Sequence, residues 1–311
     1  MQSSGPSAAR PHHRPFLALG LRLLSAGMLA TMLMMVKLSG EHGVALPETM
    51  FWRQFVPALT LLGWLAARGE LHRVKTARPR LHAQRALIGT SAMFLTLGVV
   101  QLMPLAEATV LSFTAPIFAV ILSVALLGEK VGRWRLGAVL LGLAGVIAIA
   151  GPDSDNLSPL GLAVGLGAAF GVALVSIQVR QMARTEEPIC VVFWFSTAGA
   201  AMLSLLLPFY VSSHDAYEWA LIGGIGLTGL LGQLLLTAAL RYGNVSSVIV
   251  MDYSQIGWAT LWGWLIFGQL PPDALWIGGP LIVAAGLIIA RREQVLHRRP
   301  PIDPQSAPNA D

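Results

Sequence analysis

The sequence predicts an all-α membrane protein of ten transmembrane helices arranged as two inverted five-helix repeats. Composition, the spacing of apolar runs and the side on which basic residues fall all predict it. Hydrophobic residues make up 55% of the 311 residues and charged residues 12%, whereas soluble domains carry about 25% charged residues. Mean hydropathy is +0.65. These values exclude a soluble globular enzyme and a disordered chain. At about 20 apolar residues per crossing, ten crossings use roughly 200 residues and leave short loops and two tails. The single Cys190 excludes a disulfide framework and any cysteine-built zinc or iron–sulfur site.

The first run, Phe16–Leu38, has no small-residue cleavage site and reads as a retained helix rather than a secretory signal. Met50–Ala67 is the second, and Ala86–Met103 and Ala106–Leu127 are the third and fourth. Between the latter two, Pro104 argues against one long buried helix, and Glu107 marks a water boundary. Trp134–Ala150 is the fifth. Leu160–Ala183, Ile189–Val211, Trp219–Leu240, Val245–Phe267 and Leu275–Ala290 form the second set. The fifth and tenth runs are short, which suits a locally thin bilayer or extension into their flanks. Residues 1–15 and 293–311 are rich in Pro, Ser, Arg and His without periodicity and read as disordered cytoplasmic tails.

With the N-terminus inside, the basic residues collect in the tails and in alternate loops, including Arg73, Lys75, Arg78, Arg80 and Arg85, then Lys130, Arg133 and Arg135. Arg22, Lys37 and Arg53 are the exceptions, within or at the ends of helices, while Glu41, Asp153, Asp215, Glu218 and Asp273 fall outside. The positive-inside rule therefore predicts a multi-pass protein of the cytoplasmic membrane with both termini in the cytoplasm. The net charge of +5 follows from this topology and from contact with anionic lipid, so nucleic acid is not an expected partner.

A repeat is legible within the chain. The stretch LLGEKVGRWRLGAVLLGLAGVIAIA parallels IFGQLPPDALWIGGPLIVAAGLIIA, matching Gly128-Glu129 with Gly268-Gln269, Gly137 with Gly278 and Gly145 with Gly286. Each copy closes a long helix, turns, and starts a helix rich in small residues. The chain divides into halves over 16–151 and 158–292. Because five is odd, the halves enter from opposite sides of the membrane. Such inverted repeats mark secondary transporters, whose substrate sites lie between halves at the midplane.

Specific stretches then resemble the EamA-type domains of the drug/metabolite transporter superfamily, over about residues 16–291. FWRQFVPAL, Phe51 to Leu59, resembles that family's arginine-bearing second helix. PLAEATVLSFTAPIFAVILSVALLGEK, Pro104 to Lys130, resembles its fourth, with Pro116 inside and Glu129 at the end. Tyr253 to Ile289 resembles its most recognisable region. The resemblance implies ten helices in two inverted repeats and transport of small organic compounds such as amino acids, nucleosides, cofactors or drugs. In the second repeat Gln269 stands where the family usually has Glu, so no charge-based role carries over to it.

Polar groups within apolar runs are the site candidates, because ionisable residues in membrane helices usually face the bundle interior or a wet cavity. Asp252 lies about 12 Å inside the ninth helix, too deep for its short side chain to reach water. Gln255, Ile256, Ala259 and Gly263 share its face, and Tyr253 and Ser254 sit beside it. Asp252 is expected to carry a coupling proton or hold a substrate amine, or else to form a structural hydrogen bond or ion pair. Arg53 reads either as an interfacial anchor beside Trp52 or as an inward fork for a carboxylate or phosphate. Arg22 and Lys37 read as snorkelling side chains that reach headgroups along their own stems. Trp258 and Trp262 share a face suited to stacking a planar substrate, or to packing. Pro116 reads as a kink or hinge, Glu129 and Gln269 as turn residues, and Gln101, Gln178 and Gln233 as ties between helices. The seven histidines fall in tails or loops, so no metal site within the membrane is expected.

No phosphate-binding loop is present, so transport must draw on a substrate or ion gradient. The reading is a secondary transporter of a small organic metabolite working by alternating access, with Asp252, Arg53, Gln255, Tyr253 and Trp258 at its site and proton coupling through Asp252 as a sub-hypothesis. It is expected to be no enzyme and to hold no cofactor. Its partners are a small molecule and the bilayer, and a homodimer stays open. The alternatives are an intramembrane enzyme on lipid-like substrates and a membrane scaffold.

Overall fold

A computed structural model describes residues 15–127, 132–149, 158–182, 185–242 and 251–297. Among these residues every regular element is helical. α1 is Pro15–Glu41, α2 Leu46–Ala67, α3 Pro79–Leu102, α4 Leu105–Ser112, α5 Ala115–Leu127 and α6 Arg133–Ile149. α7 is Pro159–Met182, α8 Pro188–Ser204, α9 the single turn Leu207–Tyr210, α10 Ala216–Tyr242, α11 Ser254–Phe267 and α12 Asp273–His297. Short 3-10 turns occupy Leu71–Val74 and Met251–Tyr253.

Prolines set the helix starts. Pro47, Pro79 and Pro188 sit in the first turns of α2, α3 and α8, where a missing N–H costs nothing and the fixed φ suits the helix. α3 consequently begins at Pro79, seven residues before the start predicted from apolarity, and this places His82 and Arg85 inside a helix rather than in a loop. At the other end of the chain, α12 runs on to His297, which corrects the expected tail boundary at residue 293. α11 ends at Gly268, whose φ of 61° closes the helix with its N–H on the Trp264 carbonyl, while the Gln269 N–H bonds the Gly263 carbonyl. A side chain at Gly268 would strain that left-handed cap. Glu129, the matching turn residue of the first half, lies outside the described residues, as do residues 243–250 at the start of the predicted ninth helix.

The predicted fourth helix is broken. α4 stops at Ser112, and Phe113 and Thr114 separate it from α5. Two residues on, Pro116 has no N–H to offer the Ser112 carbonyl, so the interruption lies slightly before the proline. Glu107 is 1% exposed and thus buried in α4, not at a water boundary as expected.

Six described helices are long and apolar enough to cross a membrane, within Phe16–Glu41, Pro79–Leu102, Leu105–Ala125, Pro159–Val179, Ala216–Leu236 and Asp273–Arg292. Leu136–Ile149 and Pro188–Ser204 are apolar but shorter. Large apolar side chains point outward, with Leu205 73%, Ile147 71% and Trp276 68% exposed. Such a surface is stable only against lipid, so the protein is a multi-pass membrane protein.

The helices interlock in matched pairs. α1 packs on α10 and α7 on α3; α1 also packs on α11, and α7 on α4 and α5; α2 packs on α10, and α8 on α3. α2 meets α8, and α6 meets α12. Exchanging α1, α2, α3, α4–α5 and α6 for α7, α8, α10, α11 and α12 converts each pairing into another of the same set. At the α6–α12 crossing the backbones nearly touch. A Cβ on Gly278 would lie 2.5 Å from the Gly145 carbonyl oxygen, and one on Gly145 2.8 Å from that of Gly278. Without a hydrophobic drive between helices in lipid, such small-residue approach supplies the contact energy.

Candidate functional site

A cavity of about 750 Å³ lies inside the bundle, with walls contributed by both halves of the chain. α1, α2 and α3 line it together with the α4–α5 break, and α7, α8, α10, the 251–253 turn, α11 and α12 complete it. The α4–α5 break and the 251–253 turn that leads into α11 meet there. The rings of Phe113 and Tyr253 pack with centroids 4.7 Å apart, and Ser112 and Pro116 are on the wall. Tyr253 presses its hydroxyl onto Gly286 of α12, where a Cβ would come within 2.1 Å of it.

Arg53, Asp252, Tyr253 and Gln255 all reach the cavity wall. Trp258 does not. Its indole covers Gly27 of α1, 3.2 Å from where a Cβ would stand, so it packs helix on helix. Trp262 likewise turns to α1, donating its indole N–H to the Thr31 hydroxyl at 3.1 Å.

Among the described residues three charged side chains line the cavity, Asp252, Arg53 and Arg85, and Asp252 is paired with Arg22. Arg22 is 6% exposed and forms an ion pair through Nε with Asp252 Oδ1. Its Nη1 donates to Ser25 Oγ at 3.1 Å, and Ser25 donates to the Gly232 carbonyl of α10 at 2.8 Å. The snorkelling expected of Arg22 is therefore corrected. Its guanidinium is buried, and the half-buried Asp252 carboxylate lies within its reach as a counter-charge.

Lys37 is corrected in the same way. It is 6% exposed and donates to the carbonyls of Val100 and Met103 at 3.2 and 2.9 Å, with its ammonium 5.4 Å from the Phe267 ring centre. Those carbonyls are the ones left open at the end of α3, so Lys37 acts as a C-terminal helix cap.

Arg53 lies between methionines. Its Nε donates to Met32 Sδ at 3.2 Å and its Nη1 to Met93 Sδ at 2.6 Å. Thioether sulfur is a weak acceptor, and among the described residues no carboxylate lies within 4 Å of this guanidinium. Arg85, which the sequence reading left among loop charges, is the functional candidate it missed. It is 9% exposed, lines the cavity, and stands 4.1 Å over the Phe195 ring, with Nε and Nη1 lacking hydrogen-bond partners among the described residues. Gly89 makes room for it, since a Cβ there would meet Arg85 Nη1 at 1.8 Å. The signal was Pro79, a helix-start residue that moves α3 back over Arg85.

At the end of the bundle where α2 begins, His214 bridges two acids. Its Nε2 is 3.0 Å from Glu48 Oε1 and its Nδ1 is 3.0 Å from Glu218 Oε2. Burial opposes charging of the ring, but the two carboxylates outweigh it and hold the His214 pKa above the ordinary histidine value. A pKa raised in the folded state gives stability that is complete below the unfolded value of about 6.5 and lost as pH climbs through the folded value. Melting temperature in detergent should therefore fall as pH rises through this window in the wild type and stay flatter in His214→Gln. Identical pH profiles would show that the bridge contributes nothing.

The EamA-like transporter family model matches residues 16–151 and 159–291. The chain is similar to a pseudopaline exporter of Pseudomonas aeruginosa, 30% identical over 284 residues that cover 88% of this chain and 99% of that one. It is also similar to a riboflavin transporter of Vibrio cholerae, 28% identical over 283 residues that cover 90% and 95%. A crystal structure of 22% identity aligns with a TM-score of 0.58 over 89% of this chain and 98% of the other, a likeness of fold.

Proposed function

The chain belongs to the EamA-like transporter family, and from that premise we propose that it carries an anionic, amphipathic organic metabolite through its central cavity by alternating access. It is a membrane transporter of small molecules and not an enzyme, the class its relatives share. The observation that carries the anionic preference is the pair of arginines, Arg53 and Arg85, on the cavity wall without carboxylate partners among the described residues. Asp252 is neutralised by Arg22, so the wall carries a net positive charge. A substrate carboxylate or phosphate would supply the missing counter-charge, and the apolar lining from Phe113, Phe195, Val172 and Ile289 would take its hydrocarbon part.

The paired packing of the halves supports two inverted repeats that rock about the α6–α12 crossing and the α2–α8 contact. The α4–α5 break at Phe113–Thr114, with Pro116 just beyond it, and the 3-10 turn Met251–Tyr253 are the proposed hinges, with Gln255 and Tyr253 as polar contacts of the substrate. Proton coupling is assigned to Asp252, whose protonation would dissolve its ion pair and release α1 from the start of α11. Both termini are placed in the cytoplasm, and the membrane is the cytoplasmic one, on the distribution of basic residues. Pairing into homodimers is not required by this mechanism.

The test is counterflow in proteoliposomes free of ATP, guided by a thermal-shift screen of the purified protein against metabolites of each charge class. Carboxylated compounds should stabilise the protein and exchange across the membrane. Stabilisation and exchange confined to cationic compounds would overturn the anionic assignment.

A further inference from the structure

At the opposite end of α2 from His214, three potential metal ligands converge from both halves of the chain. We propose that His82, Glu186 and Cys190 bind a divalent transition-metal ion of the zinc class, which bridges the two repeats at this end of the bundle. His82 stands in the first turn of α3, Cys190 in the first turn of α8, and Glu186 in the link between α7 and α8. One donor atom from each lies within 4.8 Å of the other two.

His82 Nε2 is 3.6 Å from Glu186 Oε2, and Cys190 Sγ is 3.5 Å from the same oxygen. Bond lengths of about 2.0–2.3 Å to nitrogen, oxygen and sulfur in a tetrahedral zinc site imply donor separations of about 3.3–3.6 Å. The two separations from Glu186 thus already match those around a single ion. The Thr76 hydroxyl donates to Glu186 Oε1 at 2.9 Å, which leaves Oε2 turned toward the sulfur and the imidazole.

The imidazole points independently to a ligand. His82 is 2% exposed, yet among the described residues neither ring nitrogen has a hydrogen-bond partner. Buried polar groups without partners are costly and rare, and a metal ion would satisfy Nε2 directly. Cys190, 1% exposed, donates its thiol to Glu186 Oε2 at 3.5 Å, with the Val74 carbonyl 3.7 Å away. That carbonyl already receives the Trp194 indole N–H at 2.8 Å, so it is a poor partner for the thiol. Imidazole, thiolate and carboxylate together favour zinc and its neighbours over magnesium or calcium, with a fourth position left for water. Binding releases the Cys190 thiol proton to solvent, so affinity should rise with pH.

Because His82 belongs to the first repeat and Glu186 and Cys190 to the second, an ion there fastens the α3 start to the α8 start. The assignment does not rest on the substrate class proposed above. It also modifies the sequence expectation that no metal is held, which assumed that a single cysteine and histidines in loops could not build a site. One cysteine suffices when a histidine and a carboxylate complete the set.

The probe is cobalt(II), titrated into the purified full chain in detergent. Cys190 is the only cysteine, so a thiolate-to-cobalt charge-transfer band in the near ultraviolet can arise only from this position. The expected result is a saturable band that zinc displaces, with zinc also raising the melting temperature. Cys190→Ser should abolish both effects, and His82→Ala and Glu186→Gln should each weaken binding by about 10-fold or more. Where His82→Ala fails to fold, His82→Gln gives the same readout. No cobalt band in folded wild type, or wild-type affinity in a folded His82 variant, overturns the site.

Discussion

Asp252→Asn should destabilise the protein by about 3 kcal/mol, the lower end of what removal of one partner from a buried ion pair costs. The reason is what it leaves behind. Arg22 has a side chain only 7% exposed, and without Asp252 its remaining hydrogen bond among the described residues is to Ser25. Asp252 itself is 31% exposed, toward the cavity. The reciprocal variant, Arg22→Gln, strands a carboxylate that water can reach and should cost less. Combining Arg22→Gln with Asp252→Asn removes both charges, and the double variant should recover most of the loss, since a neutral pair in such a place is often as stable as the ion pair. Thermal unfolding in detergent checks the order, with Asp252→Asn lowest and the double variant above it. Strictly additive losses would show that the two groups do not interact.

The same variants separate stability from transport. If Asp252 carries the coupling proton, the folded double variant exchanges substrate in counterflow yet no longer moves protons with it. Substrate-driven proton flux that survives in the double variant removes Asp252 from coupling, whatever its stability. The ion pair also sharpens what protonation would do. It would cut a direct charge link between α1 and the 251–253 turn, which belong to different halves of the chain.

The helical class of the chain was legible because composition and apolar length are dictated by the bilayer, and lipid tolerates few alternatives. What stayed hidden was every feature set by a partner distant in sequence. Arg22 and Lys37 read as snorkelling because that argument weighs only depth along one helix. Their partners, Asp252 and the end of α3, lie far away in the chain. Depth marked Asp252 as a site candidate, and it lines the cavity, but depth could not say that Arg22 was its partner. Trp258 showed the converse limit. The face it shares with Trp262 suggested stacking on substrate or packing, and the approach of Gly27 shows that the indole is packed against α1. The start of α3 at Pro79, and with it Arg85 and His82, was legible in principle. Apolarity alone starts the run at Ala86, because the basic residues before it lower the hydropathy, although a membrane helix accommodates their long stems at its end.

Arg53→Gln should produce the largest functional loss, with substrate affinity falling about 10- to 150-fold. That range corresponds to the roughly 1.5–3 kcal/mol that a charge-assisted hydrogen bond contributes. Stability should move the other way. In the unliganded protein the Arg53 guanidinium is met by two thioethers, which repay little of the cost of desolvating a cation. Its loss should therefore leave the melting temperature unchanged or raised, the usual signature of a residue held in place for function. Arg85→Gln should follow the same pattern with a smaller gain in stability, because contact with the Phe195 ring returns about 0.5–2 kcal/mol that Gln would forfeit. Arg53→Lys keeps the charge but loses the planar fork, and should bind more weakly than wild type if the substrate group is gripped by two parallel hydrogen bonds. The measurement is ligand-induced thermal shift, paired with the melting temperature of each unliganded variant. A structural arginine would give the reverse result, with Arg53→Gln less stable and its substrate affinity intact. That outcome would leave the positive wall of the cavity without a role in selecting what is carried.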